Sequence, residues 1–377
     1  MPRPIQPERT IALKCPNYLR EYAELYADNP RGANLKWFRE ARYGLFLHYG
    51  LYSLTGKKEW VQHIDKIPVA EMATYADRFR AERFDATAIA EFACSAGFRY
   101  INLTTRHHDS FCLFKTAETD FNTVQTACGR DLVGELAAAC DEFGLGLCLY
   151  YSHGRDWRHP HAPNNDEYAG AARPEYDEPQ AEYKTGEEHD LSVYLRFMQN
   201  QITELLTQYG HPIASIWLDG IGVPLRPRNA DGTVREGYDP RTDGDPFEVQ
   251  KLYDHIHSVS PMALVSYKQG YLGTEDFYAP EHKAHNRFGQ SFGDVPGEVC
   301  TTMIVRPSRS WAWTEESRGQ HMTADEVWKA ISDARDANCN LLLNSGPLPD
   351  GSLDPEDVAT LLEVGERLAR DDTRMQW

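Results

Sequence analysis

Short runs of apolar, β-branched and aromatic residues alternate with amphipathic helical periods along most of this chain. The runs Gly44–His48, Arg99–Thr105, Leu145–Ser152, Ile213–Asp219, Met262–Tyr267, Asp276–Ala279, Val299–Val305 and Asn340–Asn344 predict eight strands. The stretches Asp85–Ser95, Leu132–Phe143, Leu191–Tyr209, Pro246–His257, Ala324–Asn338 and Glu356–Arg370 predict helices. Their punctuation agrees: Asp131 stands where a helix cap belongs, Gly210 follows a helix end, and Thr323 with Glu326 forms a capping-box pattern. Alternating strands and helices imply parallel strands joined by crossovers. Eight nearly continuous apolar strands predict an α/β fold, a single-domain (β/α)8 TIM-like barrel. An open dinucleotide-binding sheet would carry G-x-G-x-x-G after its first strand, where this chain has Tyr49-Gly50-Leu51-Tyr52. The expected organisation is an N-terminal extension over 1–35 and a barrel over 36–377, with long polar loops at 153–190 and 220–245. After the last strand about one helix remains, which leaves no room for a C-terminal β-domain.

The chain has 377 residues, with 57 acidic against 39 basic side chains and a formal charge of −18. Such a surface repels phosphate backbones, so nucleic acid is excluded as an expected partner. No apolar run reaches membrane-spanning length, and the first ten residues lack the apolar core of a secretory signal. The 8 cysteines show no C-x-x-C spacing, and several lie inside apolar runs, which suits reduced core thiols. A cytoplasmic protein with no cofactor is expected, and self-association is left open.

Candidate chemistry sits at the strand ends. His48 closes the first strand, His107-His108-Asp109 follows the second, and Tyr151 lies at the end of the third. Asp219 closes the fourth behind Trp217, Lys268 follows the fifth, Glu281 the sixth, and Asn344 closes the eighth. Barrel strands present their C-terminal ends to one shared pocket, so these groups converge. Histidines, carboxylates, aromatic rings and an amide suit a sugar, and two carboxylates suffice for glycoside hydrolysis. Asp219 is the expected nucleophile. The acid/base is Glu281, with Glu298 as the alternative if the seventh strand begins late enough for it to reach the pocket.

The chain resembles glycoside hydrolase family 29, the retaining α-L-fucosidases, from Trp37 to Gly365. The resemblance rests on Trp37-Phe-Arg-Glu-Ala-Arg-Tyr-Gly-Leu-Phe-Leu-His-Tyr-Gly50, Glu59-Trp60, Leu103-Thr-Thr-Arg-His-His-Asp-Ser-Phe111, Arg130-Asp-Leu-Val-Gly134, Gly146-Leu-Cys-Leu-Tyr-Tyr-Ser152, Trp217-Leu-Asp-Gly220 and Asn340-Leu-Leu-Leu-Asn344. It implies a barrel, double displacement without a metal, an oligosaccharide or glycoside substrate, and Asp219 as nucleophile. It also implies a sugar-binding shell of His48, Glu59, Trp60, His107, His108, Tyr151 and Trp217, with Lys268 where the family commonly has arginine. Tyr49, Ser110 and Trp311-Ala-Trp313 depart from the family pattern, as does the missing β-sandwich.

Three other readings compete. A metal hydrolase would draw on His153, His159, His161 and the His107-His108-Asp109 cluster, but the first strand lacks the H-x-H that metal barrels use. Gly289-Gln-Ser-Phe-Gly293 matches the G-x-S-x-G elbow, without the strand before it or the helix after it. A catalytically silent glycan-binding barrel shares the fold. It would need no pair such as Asp219 and Glu281.

Overall fold

The computed structural model describes residues 14–184, 187–209, 213–285, 287 and 294–370. The Gly289–Gly293 motif and Gly210 lie outside them. Seven parallel strands form one curled sheet: β1 (Tyr43–Leu47), β2 (Tyr100–Arg106), β3 (Gly146–Ser152), β4 (Ser215–Asp219), β5 (Leu264–Tyr267), β6 (Gly297–Thr302) and β7 (Cys339–Asn344), in the order β5-β4-β3-β2-β1-β7-β6. The expected sixth strand is an irregular segment instead. It still fills the seam: Asp276 N and Ala279 N donate to Val265 and Lys268 carbonyls, while Glu298 N and Cys300 N donate to Tyr278 and Pro280 carbonyls. Regular pairing fails because the Asp276 carboxylate takes the Val265 N–H for itself, at 2.9 Å, and Pro280 has no N–H to give. β6 also begins and ends earlier than the apolar run suggests; beyond it the chain folds back, with Ile304 pairing to Ser310.

Strand parity divides the core in two. Leu45, Leu47, Ile101, Leu103, Leu147, Leu149, Ile216 and Leu218 face the surrounding helices. Phe46, Tyr100, Cys148, Tyr150, Trp217 and Cys300 fill the barrel interior. The helices start where their caps dictate. Asp85 accepts from Ala88 N, Asp131 from Gly134 N, and the Thr323–Glu326 box opens Ala324–Asp336.

The N-terminal segment closes the bottom of the barrel. Asn34 Nδ2 donates to both Ala214 O and Met262 O at 2.8 Å, tying together the entries to β4 and β5. Tyr18 packs on Trp37 at 4.4 Å between ring centroids. Gly146 is required there, since a Cβ at that position would lie 2.2 Å from the Trp37 ring. The helix Pro30–Ala41 runs through positions 35 and 36 and packs Ala33, Trp37 and Phe38 into the interior cluster.

At the opposite face the two long loops lock together. His153 N and Gly154 N both donate to Asp219 O, Ala169 N to Arg226 O, and Arg228 N to Glu167 O. A Cβ on Gly154 would stand 2.2 Å from Gly220 O, so only glycine permits this approach. Among the described residues no helix is long and apolar enough to cross a membrane.

Candidate active site

The strand ends surround a cavity of about 280 Å³, lined by Phe46, His48, Glu59, Trp60, His107, His108, Tyr150, Arg155, Trp217, Asp219, Lys268, Glu281 and Trp311, among others. That is the low end of small-ligand pockets, roughly 300–1,000 Å³. Asp219, the last residue of β4, sits on the floor. Tyr150 Oη donates to its Oδ2 at 2.6 Å, its own neighbour Gly220 N reaches Oδ1 at 2.5 Å, and Lys268 Nζ stands 3.1 Å from Oδ1. Burial alone would raise its pKa; the Lys268 ammonium, the Arg155 guanidinium and the Tyr150 hydrogen bond outweigh it and hold the carboxyl well below the usual range. Asp219 is therefore ionised.

Glu281 lies at the mouth, 41% exposed, in contact with the same Lys268 ammonium. One shared ammonium holds an oxygen of each carboxylate, which brings the two groups as near to each other as a retaining pair requires, ~5–5.5 Å. Glu298 sits elsewhere. It is the second residue of β6, deep in the barrel, where Tyr100 Oη and Trp217 Nε1 donate to it at 2.5 and 3.0 Å. Burial pushes its pKa up to about 7, but it does not line the cavity. The early start of β6 is what removes it from the catalytic face.

The three histidines present unprotonated nitrogens to the cavity. Asn344 Nδ2 donates to Trp311 O and Thr302 Oγ1, so its Oδ1 must accept from His48 Nδ1 at 2.7 Å. Ser152 Oγ gives its hydrogen to Arg155 O, so it accepts from His108 Nδ1 at 2.6 Å. Each ring is thereby left with Nε2 as a free acceptor. Burial lowers the pKa of His48 and His108 far below the usual value and that of His107 to about 3. His107 and His108 both reach the cavity because β2 ends at Arg106 and the chain has already entered a turn, where strand alternation no longer applies.

Glu59 accepts from Trp311 N and Ala312 N, at 3.0 and 3.3 Å, and so holds the Trp311 segment against His48, whose ring stacks on Trp311 at 5.1 Å. Trp60 meets His108 edge-on at 5.5 Å and carries the Arg155 guanidinium 5.0 Å above its ring. Trp217 stacks on Tyr150 at 5.6 Å.

Tyr151 is a correction. It points outward, its Oη donating to Gln201 at 2.7 Å while Arg106 covers its ring; Tyr150 occupies the cavity instead. The strand carries the signal: Leu147 and Leu149 face the helices, so parity sends Tyr151 with them. Arg155 escaped sequence reasoning because it belongs to a loop, where no periodicity applies. Only the Gly154–Gly220 approach brings it in, with its guanidinium anchored on Gly170 O at 2.7 Å.

Ligand atoms of His107, His108 and Asp219 lie within 4.8 Å of one another, a spacing open to a divalent cation. Lys268 already supplies positive charge at that carboxylate and opposes a second cation. His153, His159 and His161 do not assemble a donor set: His153 Nδ1 pairs with Tyr267 Oη, while the other two accept backbone N–H groups on Nδ1. A second group, His321, Asp354 and Glu356, has both imidazole nitrogens engaged by Asp357 and Ser317.

The sequence profile described as alpha-L-fucosidase matches residues 15–372. An alpha-L-fucosidase 1 of Arabidopsis thaliana is 26% identical over 363 residues, covering 89% of this chain and 60% of that protein. A relative in Oryza sativa subsp. japonica is 29% identical, covering 89% of this chain and 58% of its own length. The chain thus spans about three fifths of the length of these curated relatives. Among solved structures, alpha-L-fucosidase isoenzyme 1 from Paenibacillus thiaminolyticus superposes with a TM-score of 0.73 at 29% identity, over 92% of this chain and 77% of that one. Alpha-L-fucosidase AlfC from Lactobacillus casei, in complex with its alpha-L-fucose product, gives 0.73 at 26% identity, over 91% and 99%.

Proposed function

The chain belongs to the α-L-fucosidase family, and from that premise we propose that it is a retaining, exo-acting glycoside hydrolase that releases a terminal α-L-fucosyl residue from an oligosaccharide or glycoside. The observation that carries this reading is the pair of carboxylates on one ammonium, an ionised Asp219 on the floor and Glu281 at the mouth. Asp219 attacks the anomeric carbon from below. Glu281 protonates the departing oxygen, then takes a proton from the water that releases the sugar. The mouth position suits an acid/base that must meet both aglycone and solvent. A cavity of about 280 Å³ with aromatic walls suits one terminal sugar, hence exo action.

The neutral imidazoles of His48, His107 and His108 accept from ring hydroxyls without placing cations beside a developing oxocarbenium ion. Glu59 and Arg155 add polar contacts at the rim, while Trp60, Trp217 and Trp311 cover apolar sugar surface. The eight cysteines are all unpaired, which supports a reducing, cytoplasmic setting.

Turnover of 4-nitrophenyl α-L-fucoside, with proton NMR of the first-formed sugar, tests the reading. The α-anomer should appear first. Appearance of the β-anomer would exclude retention. Cleavage of another glycoside instead would overturn the sugar, and binding without turnover would identify a silent glycan receptor.

A further inference from the structure

Lys268 is placed in a way that substrate binding alone does not require. It follows β5 directly, at φ +48°, a left-handed backbone that side chains other than glycine seldom adopt. Such strain persists where surrounding structure enforces it, and it concentrates at functional positions. Here the Lys268 carbonyl is fixed by Ala279 N at 2.6 Å, and the turn closes through Gly270 N to Tyr267 O at 2.9 Å. The result carries the side chain over the Trp217 ring, with Nζ 5.1 Å from its centroid, and down between Asp219 and Glu281. The ammonium is the one side-chain cation among the described residues with an ion pair to either carboxylate, and it reaches both.

Double displacement moves one negative charge between these two groups. The first step requires Asp219 as a carboxylate and a proton on Glu281 to give away. As the bond from Asp219 oxygen to the anomeric carbon forms, the bond to the leaving oxygen breaks and takes the Glu281 proton. Asp219 is then a neutral ester and Glu281 a carboxylate. Water next forms the new bond to the anomeric carbon and gives its proton to Glu281. The ester bond breaks, and Asp219 recovers its electron pair. One carboxylate charge is present at every stage, on alternating sides of the same ammonium.

Resting on the glycosidase reading above, we propose that Lys268 is a catalytic residue that compensates this charge, spanning Asp219 and Glu281 in the free enzyme and holding Glu281 alone in the glycosyl-enzyme. The ammonium keeps its three protons throughout. Its partners hold its pKa above the ordinary lysine value against the effect of burial, so it stays charged. Without it, Asp219 would be left an uncompensated carboxylate in a buried position, and Glu281 would lose its counter-charge at the mouth. A lysine suits the task better than arginine. Its compact point charge on a flexible stem can swing between two oxygens, whereas a planar guanidinium fork favours one bidentate partner.

Two measurements on the full chain test this. In the first, Lys268→Met and Lys268→Arg are compared with wild type on 4-nitrophenyl α-L-fucoside, with folding checked by circular dichroism. Lys268→Met should lower kcat about 100-fold or more and move the acid limb of kcat/KM upward, because Asp219 loses the cation that keeps it ionised. Lys268→Arg should restore the acid limb and only part of kcat. A folded Lys268→Met enzyme with the wild-type acid limb and only a raised KM would overturn the proposal in favour of plain substrate binding. The second measurement needs no variant: a crystal structure of wild type trapped as its 2-deoxy-2-fluoro glycosyl ester. Nζ should have left the esterified Asp219 for Glu281 alone, and an ammonium still seated on Asp219 would refute the proposal. Wild type that turns over no glycoside at all would instead remove the glycosidase reading, and this inference with it.

Discussion

At Asp219 an aromatic hydroxyl, a backbone N–H and an ammonium converge on one carboxylate. Asp219→Gly should leave the fold intact and lower kcat and kcat/KM together by several orders of magnitude, as loss of an interaction made in the transition state does. The adjacent tyrosines separate function from structure. Tyr150→Phe removes a donor from Asp219 and should cost about 100-fold in kcat. Tyr151→Phe should leave kcat unchanged and cost about 1–2 kcal/mol of stability, read from urea unfolding, because Gln201 Oε1 loses its donor. The acid limb follows from the pKa directions. Asp219, His48, His107 and His108 are all shifted downward, so each stays deprotonated until pH falls through its lowered value. Wild-type kcat/KM should therefore not fall between about pH 7 and about pH 5, and a limb near the ordinary histidine value of ~6.5 would contradict the buried imidazoles. The two glutamates divide by leaving group. Glu281→Ala should impair a poor leaving group far more than 4-nitrophenol, with azide restoring turnover of the latter. Glu298→Ala should give neither signature, and seeing both there would reverse the assignment.

At the level of elements, the site depends on how strands end and on what their turns permit. The turn that follows Arg106 brings two consecutive histidines into one cavity, and the Gly154–Gly220 contact carries Arg155 over Trp60. Gly154→Ala would push a Cβ against the Gly220 carbonyl and force the two loops apart. We expect a raised KM from the displaced Arg155, together with about 1–3 kcal/mol lost in urea unfolding. Unchanged KM would mean that the loops relax without moving the guanidinium. The apolar alternation of β1 to β5 and β7 was legible in sequence because each strand buries one face against helices. The sixth position was not. Three apolar residues there are too few to compete with an aspartate that bonds the neighbouring backbone and a proline that cannot pair.

For the whole molecule, the barrel has one end open to the cavity and one sealed end, and the sealing pieces come from the N-terminal segment. Asn17, Tyr18 and Leu19 join Asn34 and Trp37 there, with Asn17 Nδ2 donating to Asp141 O at 2.7 Å. Removing the chain through Asn29 should expose the interior aromatic cluster and give aggregated protein; a soluble, active truncation would show that Pro30–Ala41 suffices as the plug. The sequence by itself determined the strand–helix alternation, the barrel class and the polar strand ends, with Asp219 at the end of β4, because these follow from local periodicity and from residue types beside one another in the chain. Tertiary structure alone decided that Tyr150 rather than Tyr151 faces the cavity, that Glu298 lies buried under Trp217, and that one lysine spans two carboxylates. These depend on the phase of a strand against its neighbours and on distances between segments far apart in the chain, and a linear pattern encodes neither.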